Sequence, residues 1–132
     1  MKVREVYDRA LAMINERDSG GAYHSDTADF EKNTPAILNS FIILLLSDDA
    51  MIRGNRVRDI SFEVEPVTSM EDKIPLHASL ASGVLPFALA SFLILEEDKE
   101  RADYFYRLYL DAKSRVVSSF ITAGHRRIKN MY

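Results

Sequence analysis

The chain has 132 residues, of which 47% are hydrophobic and 28% are charged, and it contains no cysteine and no tryptophan. This length predicts a single domain over residues 1–132, and the hydrophobic share is typical of a folded chain rather than a disordered one. The absence of cysteine excludes a disulfide scaffold and a thiolate metal site. With 17 basic and 20 acidic residues the net charge is −3, so the molecule as a whole is not built to wrap nucleic acid.

The first predicted element is an amphipathic helix from about Val3 to Ile14. Apolar residues recur there at helical spacing while charged residues occupy the opposite side. A second helical region is predicted from about Asp26 to Asp48. It contains Thr34-Pro35, so either Thr34 caps a helix that starts at Pro35, or the helix continues through the proline with a kink. Residues 41–46 (FIILLL) are apolar on every face, which indicates a helix in the centre of the core or partly covered by another subunit.

The segment between the helical regions has a two-residue period. Ile60, Phe62 and Val64 alternate with polar residues, and Pro66 follows them. This alternation is typical of a half-buried strand, but the segment is too short for a sheet of its own. It predicts a short extended arm or hairpin near residues 58–66.

The last third is predicted to be helical again. One helix should span about 77–97, with a kink at Pro86, and another should span about 99–122, with Asp98 as its N-cap. The prediction is therefore a mainly α, single-domain bundle of about four helices. The residues expected in its core are Leu44, Leu89, Leu93, Phe105 and Tyr109.

Residues 74–95 form a stretch of 22 residues without a charged side chain, which is long enough to cross a bilayer. Its first half contains Pro75, Ser82 and Gly83, so only the second half is densely apolar. Glu96 follows directly, where a cytoplasmic flank would carry basic residues. We therefore predict a buried core helix and no membrane contact.

No motif of an enzyme, cofactor site or metal site is present in the sequence. The three histidines, His24, His77 and His125, are isolated from one another, and no phosphate-binding glycine pattern or nucleophile elbow occurs. The expectation is a chain that is not an enzyme, with no catalytic residues, no cofactor and no metal.

Two features suggest an interaction surface. The apolar residues of the predicted 99–122 helix cover about half of its circumference, more than one core requires, and Tyr104 falls on the charged side with Arg107. A large core explains this as well as contact with another chain does. Second, residues 112–132 carry five basic and no acidic side chains, and the predicted basic arm, residues 123–132, contains Arg126, Arg127 and Lys129. Such an arm suits an acidic partner or phosphate, or is simply a solvated helix end.

Several segments together resemble small structural proteins of tailed phages and prophages, which include head–tail connector (adaptor) subunits. Residues 84–98 (VLPFALASFLILEED) and 102–109 (ADYFYRLY) follow the pattern LP…LA…L…E.D…A..F…Y found near the C-terminus of such proteins. Residues 30–39 (FEKNTPAILN) resemble their aromatic–lysine–proline–asparagine segment, and residues 3–14 resemble their opening helix. Ala88 stands where those proteins usually have glycine.

The resemblance implies a non-catalytic virion subunit that assembles on a template into a ring at the junction between portal and tail. It implies contacts with other copies of the chain and with portal and tail or neck proteins, non-specific contact with DNA as a further option, and a location in the virion, reached from the host cytoplasm during assembly. The candidate interface residues are Phe41, Ile60, Phe62, Tyr104, Arg107, Arg126, Arg127 and Lys129.

Two other functions remain open at this point. One is a small helical regulator or adaptor that binds nucleic acid through the basic arm; salt-sensitive binding by a monomer or dimer would distinguish it. The other is a small-ligand enzyme, which requires a closed pocket lined by His77 or His24 together with carboxylates.

Overall fold

The computed structural model describes residues 1–14, 27–54 and 64–130, with side chains described within 1–14, 29–54 and 64–121. Its helices are α1 (Val3–Ile14), α2 (Thr27–Ile52), α3 (Ala78–Gly83), α4 (Leu85–Ile94) and α5 (Lys99–Asn130). Within these ranges there is no strand longer than a single bridge, between Lys2 and Lys73. The prediction of a small, mainly α bundle is confirmed, and the helix expected over 77–97 is divided at Val84 into α3 and α4.

The central element of the bundle is α4, which contacts each of the other four helices. A helix that is apolar on nearly every side is stable in water only when other elements surround it. Its buried residues are Leu85, Pro86, Ala88, Leu89, Ala90, Ser91, Leu93 and Ile94. The burial of Leu89 and Leu93 agrees with the prediction from sequence.

A short turn joins α4 to α5 and sets the angle of this hairpin. The buried Ser91 hydroxyl donates a hydrogen bond of 2.7 Å to the carbonyl of Ala102, which ties the two helices together across the turn. Asp98 caps α5, because its carboxylate accepts a hydrogen bond of 3.1 Å from the backbone N–H of Arg101. The predicted N-cap is therefore confirmed. Phe105 and Tyr109 are buried on the α5 face of this hairpin, as expected.

Helix α2 runs without interruption from Thr27 to Ile52, so the interpretation in which the helix continues through Pro35 is correct. Proline cannot donate a backbone hydrogen bond. Beside it, the buried Thr34 hydroxyl donates to the carbonyl of Phe30 at 2.6 Å. Thr34 thus bonds back along the helix and is not its N-cap.

One side chain attaches the irregular segment after residue 63 to α2. The amide of Asn39 donates to the carbonyl of Val67 at 2.8 Å and accepts from its N–H at 2.9 Å. Residues 64–68 are not helical. Ile60 and Phe62, which define most of the predicted extended arm, lie outside the described residues.

Two expectations are wrong in detail. Leu44 is 63% exposed, because the inward face of α2 at this level is formed by Ile42, Leu45 and Leu46, and Leu44 points outward. The last helix was expected to end near residue 122, but α5 continues to Asn130, so the backbone of residues 123–130 is helical. A single glycine, Gly124, weakens a helix by about 1 kcal/mol relative to alanine but does not end it.

α2 is also the one helix among the described residues that is long and apolar enough to cross a membrane, judged by length and composition. A third of its 18-residue window is buried inside the bundle. Core helices of globular proteins meet the same criterion. The 74–95 stretch does not form a single long helix, since α3 and α4 divide it.

The leucines of the bundle provide a matched stability test. We expect Leu93→Ala to lower the free energy of unfolding by about 2–5 kcal/mol, because it leaves a cavity beside α4. Leu44→Ala removes the same atoms from an exposed site and should change it by less than about 0.5 kcal/mol. Urea unfolding of both variants measures the difference, and equal losses would contradict this assignment of the core.

The carboxylate of Asp72, in the segment that is hydrogen-bonded to the start of α1, makes the free energy of unfolding depend on pH. Residues 70–72 accept hydrogen bonds from the first turn of α1: the N–H groups of Val3 and Arg4 donate to the carbonyls of Asp72 and Met70. The Asp72 carboxylate stabilises the turn at residues 68–72 by accepting hydrogen bonds from the backbone N–H groups of Thr68 and Ser69, at 2.8 and 3.0 Å. The hydrogen bond from the Thr68 N–H is the largest cause that lowers the pKa of Asp72 below its ordinary value.

Because the pKa of Asp72 is lower in the folded than in the unfolded chain, its contribution to stability is complete above the ordinary value of 3.8 and is lost as the pH falls through the folded-state pKa. We expect Asp72→Asn to be less stable than the parent chain at neutral pH, with the difference shrinking in acid. Urea unfolding at a series of pH values tests this. A difference that stays constant below pH 4 would assign the loss to something other than the charge.

Candidate functional site

An open groove lies between the first half of α2 and the C-terminal end of α4, with a volume of about 420 Å³. Its lining residues are Asp29, Phe30, Asn33, Ile37, Phe92, Leu93, Leu95, Glu96 and Glu97. Phe92 and Leu95 are 52% and 48% exposed, although α4 is otherwise covered by other helices. The fold therefore leaves an aromatic ring and a leucine uncovered at one end of its central helix.

The rim of this groove is acidic. It carries the carboxylates of Asp29, Glu96 and Glu97, and none of its described lining residues is basic. Neither Asp29 nor Glu96 forms an ion pair within the described part of the chain. An apolar floor with a rim of one charge sign suits a partner that is apolar and basic. We call this feature the acidic groove.

Two further exposed aromatic side chains lie on α5. Tyr104 is 56% exposed and Tyr106 is also exposed, while Phe105 between them is buried. Successive helical residues differ by about 100°, so the two tyrosines flank the buried ridge on opposite sides. Tyr106 lies on the side toward α2, since its ring is 5.7 Å from that of Tyr109, and the Tyr109 ring packs edge-on against Phe41 of α2 at 5.7 Å.

The Tyr104 side of α5 faces away from α2. Arg101, one turn earlier, donates to the carbonyls of Met13 and Ile14 at the end of α1, at 3.3 and 3.2 Å. Arg107, which follows Tyr104 on the outer side of the helix, is also exposed. The core does not account for the aromatic ring of Tyr104, as the sequence pattern predicted.

Phe41 is partly used within the chain itself. It is half-buried and packs on Tyr109, whose burial raises the pKa of its phenol. One turn further, Lys113 lies 4.0 Å from Asp48, so α2 and α5 also meet through opposite charges. The outer face of α2 instead carries three exposed apolar residues, Ile43, Leu44 and Met51.

Burial decreases along the second half of α5, residues 110–130, although Ala112 and Val116 still pack against the core. Tyr109 is the last fully buried residue of α5 among those described, and every side chain from Leu110 to Ile121 is half-buried or exposed. Phe120 still touches the chain, with its ring 5.2 Å from that of His77, while Ile121 is 50% exposed. The side chains of Arg126, Arg127 and Lys129 lie beyond the described ones, on the helical backbone that continues from this point.

His77 occupies a structural position. Its ring nitrogen accepts a hydrogen bond of 3.2 Å from the backbone N–H of Ser79 and lies 2.8 Å from the Ser79 hydroxyl, which caps the first turn of α3. The nearby Asp49 carboxylate accepts from the backbone N–H of His77 at 2.6 Å and from Arg53 at 2.9 Å. The opening beside these residues is wide rather than a closed pocket, and His24 lies outside the described residues.

The described residues include no group of three or more histidine, aspartate or glutamate side chains that could hold a metal ion. No family model, curated protein or solved structure matches this chain. The function is therefore argued from the residues themselves and from the resemblance stated above.

The motif that carries the resemblance lies in the α4–α5 hairpin. Its apolar positions are buried in the core: Leu85, Pro86, Leu89, Leu93, Ala102, Phe105 and Tyr109. Within the segments that resemble those proteins, these residues build the fold, whereas Phe92, Leu95 and Tyr104 remain exposed. No motif in the sequence predicted the acidic groove. The signal available was an all-apolar helix followed directly by Glu96-Glu97-Asp98, which places more apolar residues next to a charged turn than a small core can cover.

Proposed function

We propose that this chain is a non-catalytic structural subunit of a tailed-phage or prophage virion, a head–tail connector (adaptor) that assembles into a ring at the junction between portal and tail. The observation that carries the proposal is the presence of two unlike exposed features, the acidic groove and the aromatic ring of Tyr104 on the charged side of α5. Ring assemblies form through head-to-tail contacts between two different faces of one subunit. Exposed apolar side chains inside a polar rim are typical of an interaction site, and the acidic groove has this arrangement.

The resemblance to connector subunits supports the same conclusion. The pattern over 84–109 coincides with the α4–α5 hairpin, and the hairpin positions both surfaces: Phe92 and Leu95 lie at the end of α4, and Tyr104 lies in the second turn of α5. A subunit in which one hairpin presents two different faces is suited to repeat around a portal.

Purified virions provide the direct test. We expect the chain to copurify with phage particles in several copies per particle and to be located by immunogold labelling at the neck. Particles that contain every other neck and tail protein but lack this chain would contradict the proposal. Sequence-selective binding to DNA that survives moderate salt would favour the regulator instead.

Tyr104 provides a test at the level of one residue. We expect Tyr104→Asp to leave the chain folded, because the side chain is exposed, and to abolish assembly on the portal or tail template, because a carboxylate would replace an apolar contact. Thermal unfolding and electron microscopy of the assembled neck measure the two effects. Tyr104→Phe is the matched control and should assemble normally. If Tyr104→Asp assembles as well as the control, this side of α5 is not an interface.

A further inference from the structure

We infer that the acidic groove binds the basic arm, residues 123–132, of a second copy of the chain. The inference deepens the proposed function, on which it rests for the expectation of a closed ring, but the contact itself involves only two copies of this protein. The contact joins the acidic groove of one copy to the C-terminal end of α5 of the next.

The two surfaces are complementary in charge. Asp29, Glu96 and Glu97 surround the groove, and the part of its lining that the structure describes contains no basic side chain. The arm carries Arg126, Arg127 and Lys129, and residues 112–132 contain no acidic side chain. Opposite charges at the edge of an interface direct encounter and register.

The two surfaces are also complementary in apolar character. Phe92 and Leu95 are half exposed on the floor of the groove, with Phe30 and Ile37 half-buried beside them. On the arm side, Ile121 is half exposed on α5 just before the basic residues, and Ile128 lies among them in sequence. Burial of these side chains against one another would supply the affinity that the exposed charges alone do not.

Helix length excludes the arm of the same chain as the occupant. The groove includes Glu97, which directly precedes the cap of α5, so it lies at the N-terminal end of that helix. At 1.5 Å per residue, Arg126 lies about 40 Å along the axis from Lys99. An unbroken helix holds the two ends apart, because α5 spans Lys99–Asn130. The arm therefore reaches this site only on another copy, which makes the contact head-to-tail.

Single cysteines test the contact in the full chain, because the natural sequence has none. Asn33→Cys places a thiol in the groove and Asn130→Cys places one in the arm, and neither changes a charge. The two variants, one enlarged by a tag, are mixed at high protein concentration and low salt with a short bismaleimide cross-linker. We expect a mixed dimer, since irreversible cross-linking accumulates even from weak association.

Met51→Cys is the matched control for the groove position. Met51 is exposed on the same face of α2 as Asn33, about 27 Å further along the helix. Its mixed dimer with Asn130→Cys should form at least about tenfold more slowly, because a specific interface brings together one pair of sites and not the other. Equal rates for the two pairs would overturn the inference, and so would a faster reaction between two Asn33→Cys copies, which indicates a two-fold contact.

The double variant Asn33→Cys/Asn130→Cys distinguishes a contact between copies from one within a copy. We expect a ladder of dimers and larger species. A monomer cross-linked to itself would show that the arm folds back onto its own groove, and this would overturn the inference.

Charge reversal tests the recognition itself. An arm variant, R126E/R127E/K129E, and a groove variant, D29K/E96K, should each cross-link at least about tenfold less with themselves, because like charges then meet. A mixture of the two should recover, since each arm again meets a groove of opposite charge. Failure of the mixture to recover, while both variants remain folded, would overturn the contact.

The outcomes also separate this contact from the virion role. Cross-linking of Asn33→Cys to Asn130→Cys together with absence of the chain from virions would support the contact and contradict the connector. Presence of the chain in virions without formation of the cross-link would support the connector and contradict the contact. If the arm binds duplex DNA and the cross-link does not form, the partner of the arm is nucleic acid rather than a second copy of the chain, and the inference is wrong.

Discussion

The ten residues of α4 carry almost no polar groups, so this helix is stable only where other helices exclude water from most of its circumference. That requirement places α1, α2, α3 and α5 around it. Its one buried hydroxyl, that of Ser91, is satisfied by the carbonyl of Ala102, which fixes how α5 leaves the turn. The order of the bundle follows from covering this helix.

A short central helix cannot cover long neighbours. α4 has 10 residues whereas α5 has 32, so Tyr109 is the last fully buried residue described on α5, and beyond Val116 little of α5 packs against the core. Near the N-terminal end of α5, Phe92 and Leu95 remain exposed because α2 and the acidic turn do not cover them. The unequal helix lengths thus place the acidic groove near one end of α5 and its sparsely packed C-terminal turns at the other, and the proposed head-to-tail contact joins these two ends.

Local signals in the sequence predicted much of the bundle. The amphipathic period of α1, the cap at Asp98 and the break near Pro86 depend on neighbouring residues, and each is found in the structure. The sequence did not decide whether α2 starts at Pro35 or continues through it. A helix continues through proline only where other groups accommodate the backbone hydrogen bond that proline cannot make. The burial of Leu44 was predicted wrongly for a related reason: residues 41–46 are apolar on every face, so no periodicity indicated which face turns inward.

The sequence by itself determined the class of the fold, the central apolar helix, the exposed Tyr104 and the separation of charge toward the C-terminus. Only the tertiary structure decided which apolar residues remain uncovered and that Asp29, Phe92 and Glu96 meet at one groove, because residues 63 and more apart in sequence come together only through the packing of α2 on α4. It also decided that the basic arm cannot reach that groove within the same chain, since this depends on the unbroken length of α5. Composition records how much apolar surface a chain has, and packing decides where some of it stays exposed to water.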